Sequence, residues 1–195
     1  MCASRRLKYR DYSAPGVYFV TVCSDFKRCT FGKVVYKKME LSLLGRIVEE
    51  AWLALSSRIF GIQLHAHVVM PNHIHGIVEI IPRKLSPPTA PLQTAEGRTT
   101  VSLRQKIRPI PSLSIIVRSF KADVTRRAGV ELEWKKEIWQ RNYFDRVIRD
   151  GREFANASRY IAENPTRWQT QGQRMRAERE AKRAQQAVPL QRGRA

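Results

Sequence analysis

The sequence predicts an α+β fold, an antiparallel sheet with helices packed on one face, followed by a basic C-terminal tail. Three observations carry this. Runs rich in aromatic and β-branched residues alternate with runs of helical spacing. Two of the strand-like runs are joined by a very short link. Hydrophobic residues make up 43% of 195 residues, enough to build a real core in a single domain.

Residues 15–24, PGVYFVTVCS, follow a Pro-Gly turn signal and read as the first strand. Residues 41–58 place Leu43, Leu44, Ile47, Ala51 and Leu55 at helical spacing with charges between them. IQLHAHVV and HIHGIVEII, joined through Met-Pro-Asn, read as an antiparallel hairpin. Between about 82 and 111 the composition turns to Pro, Ser, Thr and scattered Arg and Lys, a long surface insertion that cannot bury enough apolar area. SLSIIVRSFKADVTRRAG restores a helix with Ile115, Val117, Phe120 and Val124 facing inward, and Gly129 is a natural stop. EIWQRNYFDRVI reads as a short strand or irregular edge, and residues 151–164 as a helix stopped by Pro165. Residues 1–168 then form the domain and 169–195 the basic tail, partly helical or disordered.

The charge narrows the function. Thirty-six Lys and Arg against 17 Asp and Glu give a formal charge of +19, and a domain that basic repels itself unless it works beside a polyanion. Nucleic acid is the leading partner, since neutralising phosphates releases counterions. A membrane surface ranks below it, because no stretch approaches the ~18–20 apolar residues of a spanning helix. The three cysteines, Cys2, Cys23 and Cys29, contain no CxxC pair, which argues against both a disulfide framework and a zinc knuckle. A cytoplasmic, nucleoid-associated location is expected.

His73 and His75 open the third strand and point the same way, since strand side chains alternate faces. Two neutral imidazoles at that separation can reach one divalent ion and leave positions open for water or phosphate. His65 and His67 form a second such pair. If the hairpin turns symmetrically about Pro71-Asn72, Met70 lies opposite His73 and Val68 opposite His75, which sends His65 and His67 to the other face. Tyr160 and Asn164 are i and i+4, on one helix face about 6 Å apart along the axis.

MPNHIH followed by an apolar strand, together with PGVYFVTVCS, SFKADVTRRAG, IWQRNYFDRVIRD and RYIAENP, resembles the REP-associated tyrosine transposases, within the single-tyrosine HUH transposases of insertion sequences. The resemblance spans roughly residues 8–168. It implies a ferredoxin-like fold and a metal-dependent activity, with Mg²⁺ or Mn²⁺, that cuts and rejoins single-stranded, hairpin-forming repeat DNA through a 5′-phosphotyrosine link. On that reading Tyr160 is the nucleophile, and His73, His75 and Asn164 hold the metal. Tyr143 is the runner-up nucleophile, but Val147 stands where a polar ligand would be. A homodimer is a further expectation.

For DNA contacts the sequence offers Arg118, Lys121, Arg126 and Arg127 on the third helix, and Arg141, Arg146 and Arg149 around the fourth strand. The tail adds Arg174, Arg176, Arg179, Lys182 and Arg183, and Trp139, Tyr143 and Phe144 could stack bases. The competing reading is a non-catalytic repeat-DNA or RNA binding protein, a domesticated transposase. It accounts for the charge and the aromatics, but not for the conjunction of His73, His75, Tyr160 and Asn164.

Overall fold

The computed structural model describes residues 14–82 and 110–186, with side chains to Thr170. The surface insertion falls almost wholly outside the described residues, as do residues 187–195. The elements run β1 (Gly16–Cys23), β2 (Gly32–Val35), β3 (Lys38–Leu41), α1 (Leu43–Leu53), α2 (Leu55–Arg58), β4 (Ile62–Met70), β5 (His73–Ile80), α3 (Leu113–Glu131), β6 (Phe144–Ile148) and α4 (Gly151–Gln186). The main sheet has the order β4-β5-β1-β6, antiparallel throughout. With β2–β3 set aside as an inserted hairpin, this is a βαββαβ unit with ferredoxin-like order.

Helices cover both faces of the sheet rather than one. Tyr18, Val20 and Val22 of β1 and Ile74, Val78 and Ile80 of β5 join Leu44, Ile47, Val48, Trp52 and the α3 residues Leu113, Ile116, Val117, Phe120 and Val124 in the main core. The alternate residues, Val17, Phe19 and Ile77, pack with Ile148, Phe154, Ala157 and Ile161, so α4 lies on the opposite face. Strand alternation alone cannot reveal this, because both faces of the central strands are largely apolar.

The caps follow the local chemistry. Ser42 accepts from the Gly45 N–H at 3.0 Å and opens α1. Ser112 does the same for Ile115 at the head of α3. Within α3 the buried stripe is Leu113, Ile116, Val117, Phe120, Val124 and Ala128, whereas Ile115 is 47% exposed. The inward isoleucine is therefore Ile116, one residue on, because Leu113 sets the phase of the stripe. Gly129 does not stop the helix, which runs on to Glu131 and closes with the Leu132 N–H on the Ala128 carbonyl.

Pro165 does not end the last helix either. A proline there forfeits one i→i−4 bond and strains its turn. The continuation is anchored by tertiary contacts beyond it: Trp168 packs on His73, and the Gln169 side-chain oxygen accepts the Lys37 N–H at 2.6 Å. That second contact ties the β2–β3 hairpin to α4. The hairpin turns at Tyr36 and Lys37, both with positive φ (47° and 65°), without the Gly or Asn that normally marks such a turn.

Candidate active site

His73 and His75 stand on the α4 face of β5, opposite Cys23 and Thr21 of β1. Their Nε2 atoms lie 3.0 Å apart. Each ring is steered from its other nitrogen. The Asn72 Oδ1 sits 2.7 Å from His73 Nδ1, and the Asn72 amide N–H is given to the Lys27 carbonyl, so His73 must donate from Nδ1 and its Nε2 keeps a bare lone pair. His75 Nδ1 is 2.8 Å from the Thr21 hydroxyl, which can donate or accept. When Thr21 donates, His75 holds its proton on Nε2 and points it at His73. When Thr21 accepts, both Nε2 lone pairs face one point, an arrangement that calls for a cation.

Burial favours the neutral, ligating form of both rings. It lowers the His73 pKa to about 4, with the nearby Lys27 charge adding to the effect. It lowers His75 to about 3, with His73 contributing. The spacing also fits one ion. Two nitrogens each about 2.1 Å from a cation and 3.0 Å apart subtend roughly a right angle, the cis edge of an octahedron. Among the described residues no group of three His, Cys, Asp or Glu side chains gathers, so the remaining ligands would come from a carboxamide, water or phosphate.

Across from the histidines runs one stripe of α4. The Tyr160 ring sits 5.3 Å from the His75 ring, and the Trp168 ring 5.8 Å from that of His73. Asn164 lies midway between them on the same helical face and is 5% exposed. Tyr160 is 39% exposed, flanked by Phe19 at 6.0 Å and by the Arg167 guanidinium over its ring at 5.5 Å. Beside it opens a cleft of about 460 Å³ lined by Phe19, Thr21 and His75, by Arg146 and Ile148 of β6, and by Glu153, Asn156, Ala157 and Tyr160 of α4.

Tyr143 is not brought to this group. It is 8% exposed, belongs to the main core on the other side of the sheet, and its hydroxyl is 3.2 Å from that of Ser114. Trp139 is likewise a core residue, whereas Phe144 stays on the histidine face, opposite Thr21. The second histidine pair is split. A β-bulge between Leu64 and His67 puts His65 on the α4 face, paired with Glu79 at 2.9 Å and edge-on to Phe154. His67 keeps the expected face, where burial lowers its pKa. Met70 and Val68 do lie opposite His73 and His75.

The basic residues divide in the same way. Arg118, Lys121, Arg126 and Arg127 belong to α3, on the far layer. Three of them have intramolecular work. Lys121 donates to the Gln140 carbonyl at 2.6 Å, Arg126 pairs with Asp123, and Arg127 bridges Glu50 and Glu131. Arg141 and Arg149 are exposed near β6, and Arg146 enters the cleft. Sequence reasoning missed Thr21, Asn72 and Trp168. Thr21, the one aliphatic hydroxyl in VYFVTV, and Trp168, one turn beyond Asn164, were the available signals.

The fold is an α+β domain built on a four-stranded antiparallel sheet, with the paired imidazoles facing its last helix. A solved structure of a REP-associated tyrosine transposase bound to a REP hairpin superposes with a TM-score of 0.54 at 21% identity, over 83% of this chain and 74% of that one. No family model matches the sequence. An uncharacterized protein of Haemophilus influenzae is 37% identical over 172 residues, 85% of this chain and 89% of its own length. The chain belongs to the family of that Haemophilus protein. Among the described residues no helix is long and apolar enough to cross a membrane.

Proposed function

We propose that the chain cuts and rejoins single-stranded, hairpin-forming DNA by transesterification, with Tyr160 as nucleophile. The observation that carries this reading is the juxtaposition of Tyr160 with the paired imidazoles: a half-exposed phenol 5.3 Å from the ring of His75, at the mouth of an open cleft. The phenolic oxygen would form a bond to phosphorus as the bond to the 3′-oxygen breaks. That leaves a 5′-phosphotyrosine link and a free 3′-hydroxyl. Rejoining reverses the exchange and needs no nucleotide triphosphate, because the ester bond is conserved.

His73, His75 and Asn164 would hold a divalent cation, Mg²⁺ or Mn²⁺, whose chemistry is charge neutralisation at the non-bridging oxygens. The protein's own part is orientation. Asn72 and Thr21 aim the imidazoles, α4 fixes Tyr160 against them, and Arg146 adds a cation at the cleft. The +19 charge and the neighbour seen with a REP hairpin support a nucleic-acid substrate. Such an enzyme would act in the cytoplasm on the nucleoid, alone or as a homodimer.

The test is incubation with single-stranded hairpin DNA and Mn²⁺ or Mg²⁺, followed by denaturing electrophoresis. A nicked strand and a protein–DNA adduct are expected, both lost on chelation and in Tyr160→Phe. An adduct that survives in Tyr160→Phe contradicts the assignment, and sequence-selective binding without any adduct favours the non-catalytic alternative.

A further inference from the structure

We propose that the cleft beside Tyr160 is a subsite for one unstacked nucleobase, that of the nucleotide adjoining the cleaved phosphate. This inference rests on the strand-cutting reading above. The cleft exists because α4 crosses chiefly over β4 and β5 and covers β1 and β6 only in part, through Ile148, Val17 and Phe19. The register places Thr21 beside Phe144, Phe19 beside Arg146 and Val17 beside Ile148 on that partly covered side. The resulting hollow, about 460 Å³, lies within the ~300–1,000 Å³ range of small-ligand sites.

The lining suits a flat heteroaromatic ring with a polar edge. Phe19, Ile148 and Ala157 supply apolar surface, while Arg146, Glu153 and Asn156 supply donors and acceptors. A lone phosphate would meet the Glu153 carboxylate, and a lipid chain would desolvate three polar side chains. A base on Phe19 meets neither obstacle, and stacking on an aromatic side chain is sequence-tolerant, so the polar groups are left to select.

Those polar groups are held in place before any ligand arrives. Glu153 accepts the backbone N–H of Arg149 at 3.0 Å and the Arg146 guanidinium at 3.0 Å, and its own N–H goes to Asp150 at 2.7 Å. Arg146 uses one of its five N–H groups on this pair, among the described residues, and its side chain is 73% exposed. The cleft therefore shows a donor and a fixed acceptor side by side, which is how protein side chains distinguish base edges. Tyr160 and His75 belong to the wall of the cleft as well as to the reacting group, so an occupying base is covalently close to the phosphate they address.

The experiment uses a pool of single-stranded hairpin oligonucleotides with randomised flanks, the full chain and Mn²⁺, and sequences the covalent adducts. One flank position adjoining the tyrosine-linked phosphate should show one base enriched about tenfold. Asn156→Trp, which fills the cleft from an exposed helical position, should flatten that bias and no other. Glu153→Gln, which turns one of two acceptor oxygens into a donor, should change which base is enriched. An abasic residue at that position should reduce native adduct yield to the Asn156→Trp level. Adducts without bias at the adjoining positions, or a bias unaltered in both variants, would overturn the subsite and leave strand cutting intact. No adduct from any member of the pool would overturn strand cutting, and the subsite with it.

Discussion

Gly76 lies on β5 between His75 and Ile77, with its α-carbon facing the Trp52 indole. A methyl group added there would sit 2.7 Å from Cε2 and 2.8 Å from Cη2 of that ring, and closer still to Cζ2. Carbon atoms settle at about 3.5 Å or more, so ring or strand must move by roughly an ångström. The ring has no room to give. Trp52 is 1% exposed and packs edge-on to Phe120 at 5.4 Å, Phe120 meets Trp139 at 5.3 Å, and Trp139 meets Phe31 at 5.3 Å. Overpacking a core commonly costs 1–3 kcal/mol, and a rigid aromatic row belongs at the upper end, about 3 kcal/mol. For a domain of this size that lowers Tm by roughly 6–12 °C.

The assay is thermal unfolding followed by circular dichroism, with two comparisons. Gly129→Ala adds a methyl that meets nothing within 4 Å in the last turn of α3, and should stabilise by about 0.5 kcal/mol. Gly76→Ala combined with Trp52→Phe should lose less stability than the two single changes added together, since the smaller ring vacates the contested space. A Gly76→Ala protein within about 1 kcal/mol of native, with additive behaviour in the double variant, would refute the seating of Trp52 on β5. The same backbone carries His75, so the destabilised variant should also bind divalent cations more weakly.

Acid should weaken the fold through the histidine pair. Both folded-state pKa values, about 4 and about 3, lie below the unfolded value near 6.5, so the stability of the neutral pair is fully present above pH ~6.5 and is lost as pH falls toward the folded values. At pH 5 the loss reaches about 2 kcal/mol per histidine. Urea midpoints for the native chain and for His73→Asn/His75→Asn should converge as pH drops from 7 to 5; parallel curves would contradict the burial-driven shifts. For DNA, Arg127→Ala should lower stability, because it breaks the Glu50–Arg127–Glu131 bridge, and leave single-strand affinity within twofold. Arg141→Ala should weaken binding and reduce the salt slope by about one contact. The reverse pattern in fluorescence anisotropy would move the DNA to the α3 layer.

Much of the fold was legible because it depends on local signals. The strand runs, the Met-Pro-Asn corner and the paired faces of His73 and His75 are all written in residues close in sequence. What escaped depends on distant partners. The bulge in IQLHAHVV inserts an extra residue opposite Ile77, and only the pairing with β5 reveals that His65 changes face. Pro165 reads as a stop until Trp168 and Gln169 are seen to have partners on β5 and the hairpin. The Tyr36-Lys37 turn carries no turn residue, so β2 and β3 were read as neither strand nor hairpin. Tyr143 stood as the runner-up to Tyr160, and only the fold shows that it lies in the core on the other side of the sheet. For Lys121, Arg126 and Arg127 of α3, charge alone could not show that three carbonyls, Asp123, Glu50 and Glu131 also engage them.

On the proposed chemistry, one side chain of α4 becomes esterified to DNA. Digestion of a trapped protein–DNA adduct, followed by mass spectrometry of the nucleotide-bearing peptide, reads this out directly. The phosphodiester should map to Tyr160, on a peptide from α4, and its yield should fall when His73 or His75 is replaced. A nucleotide on Tyr143, or on any residue outside the α4 stripe that faces the histidines, would contradict the account.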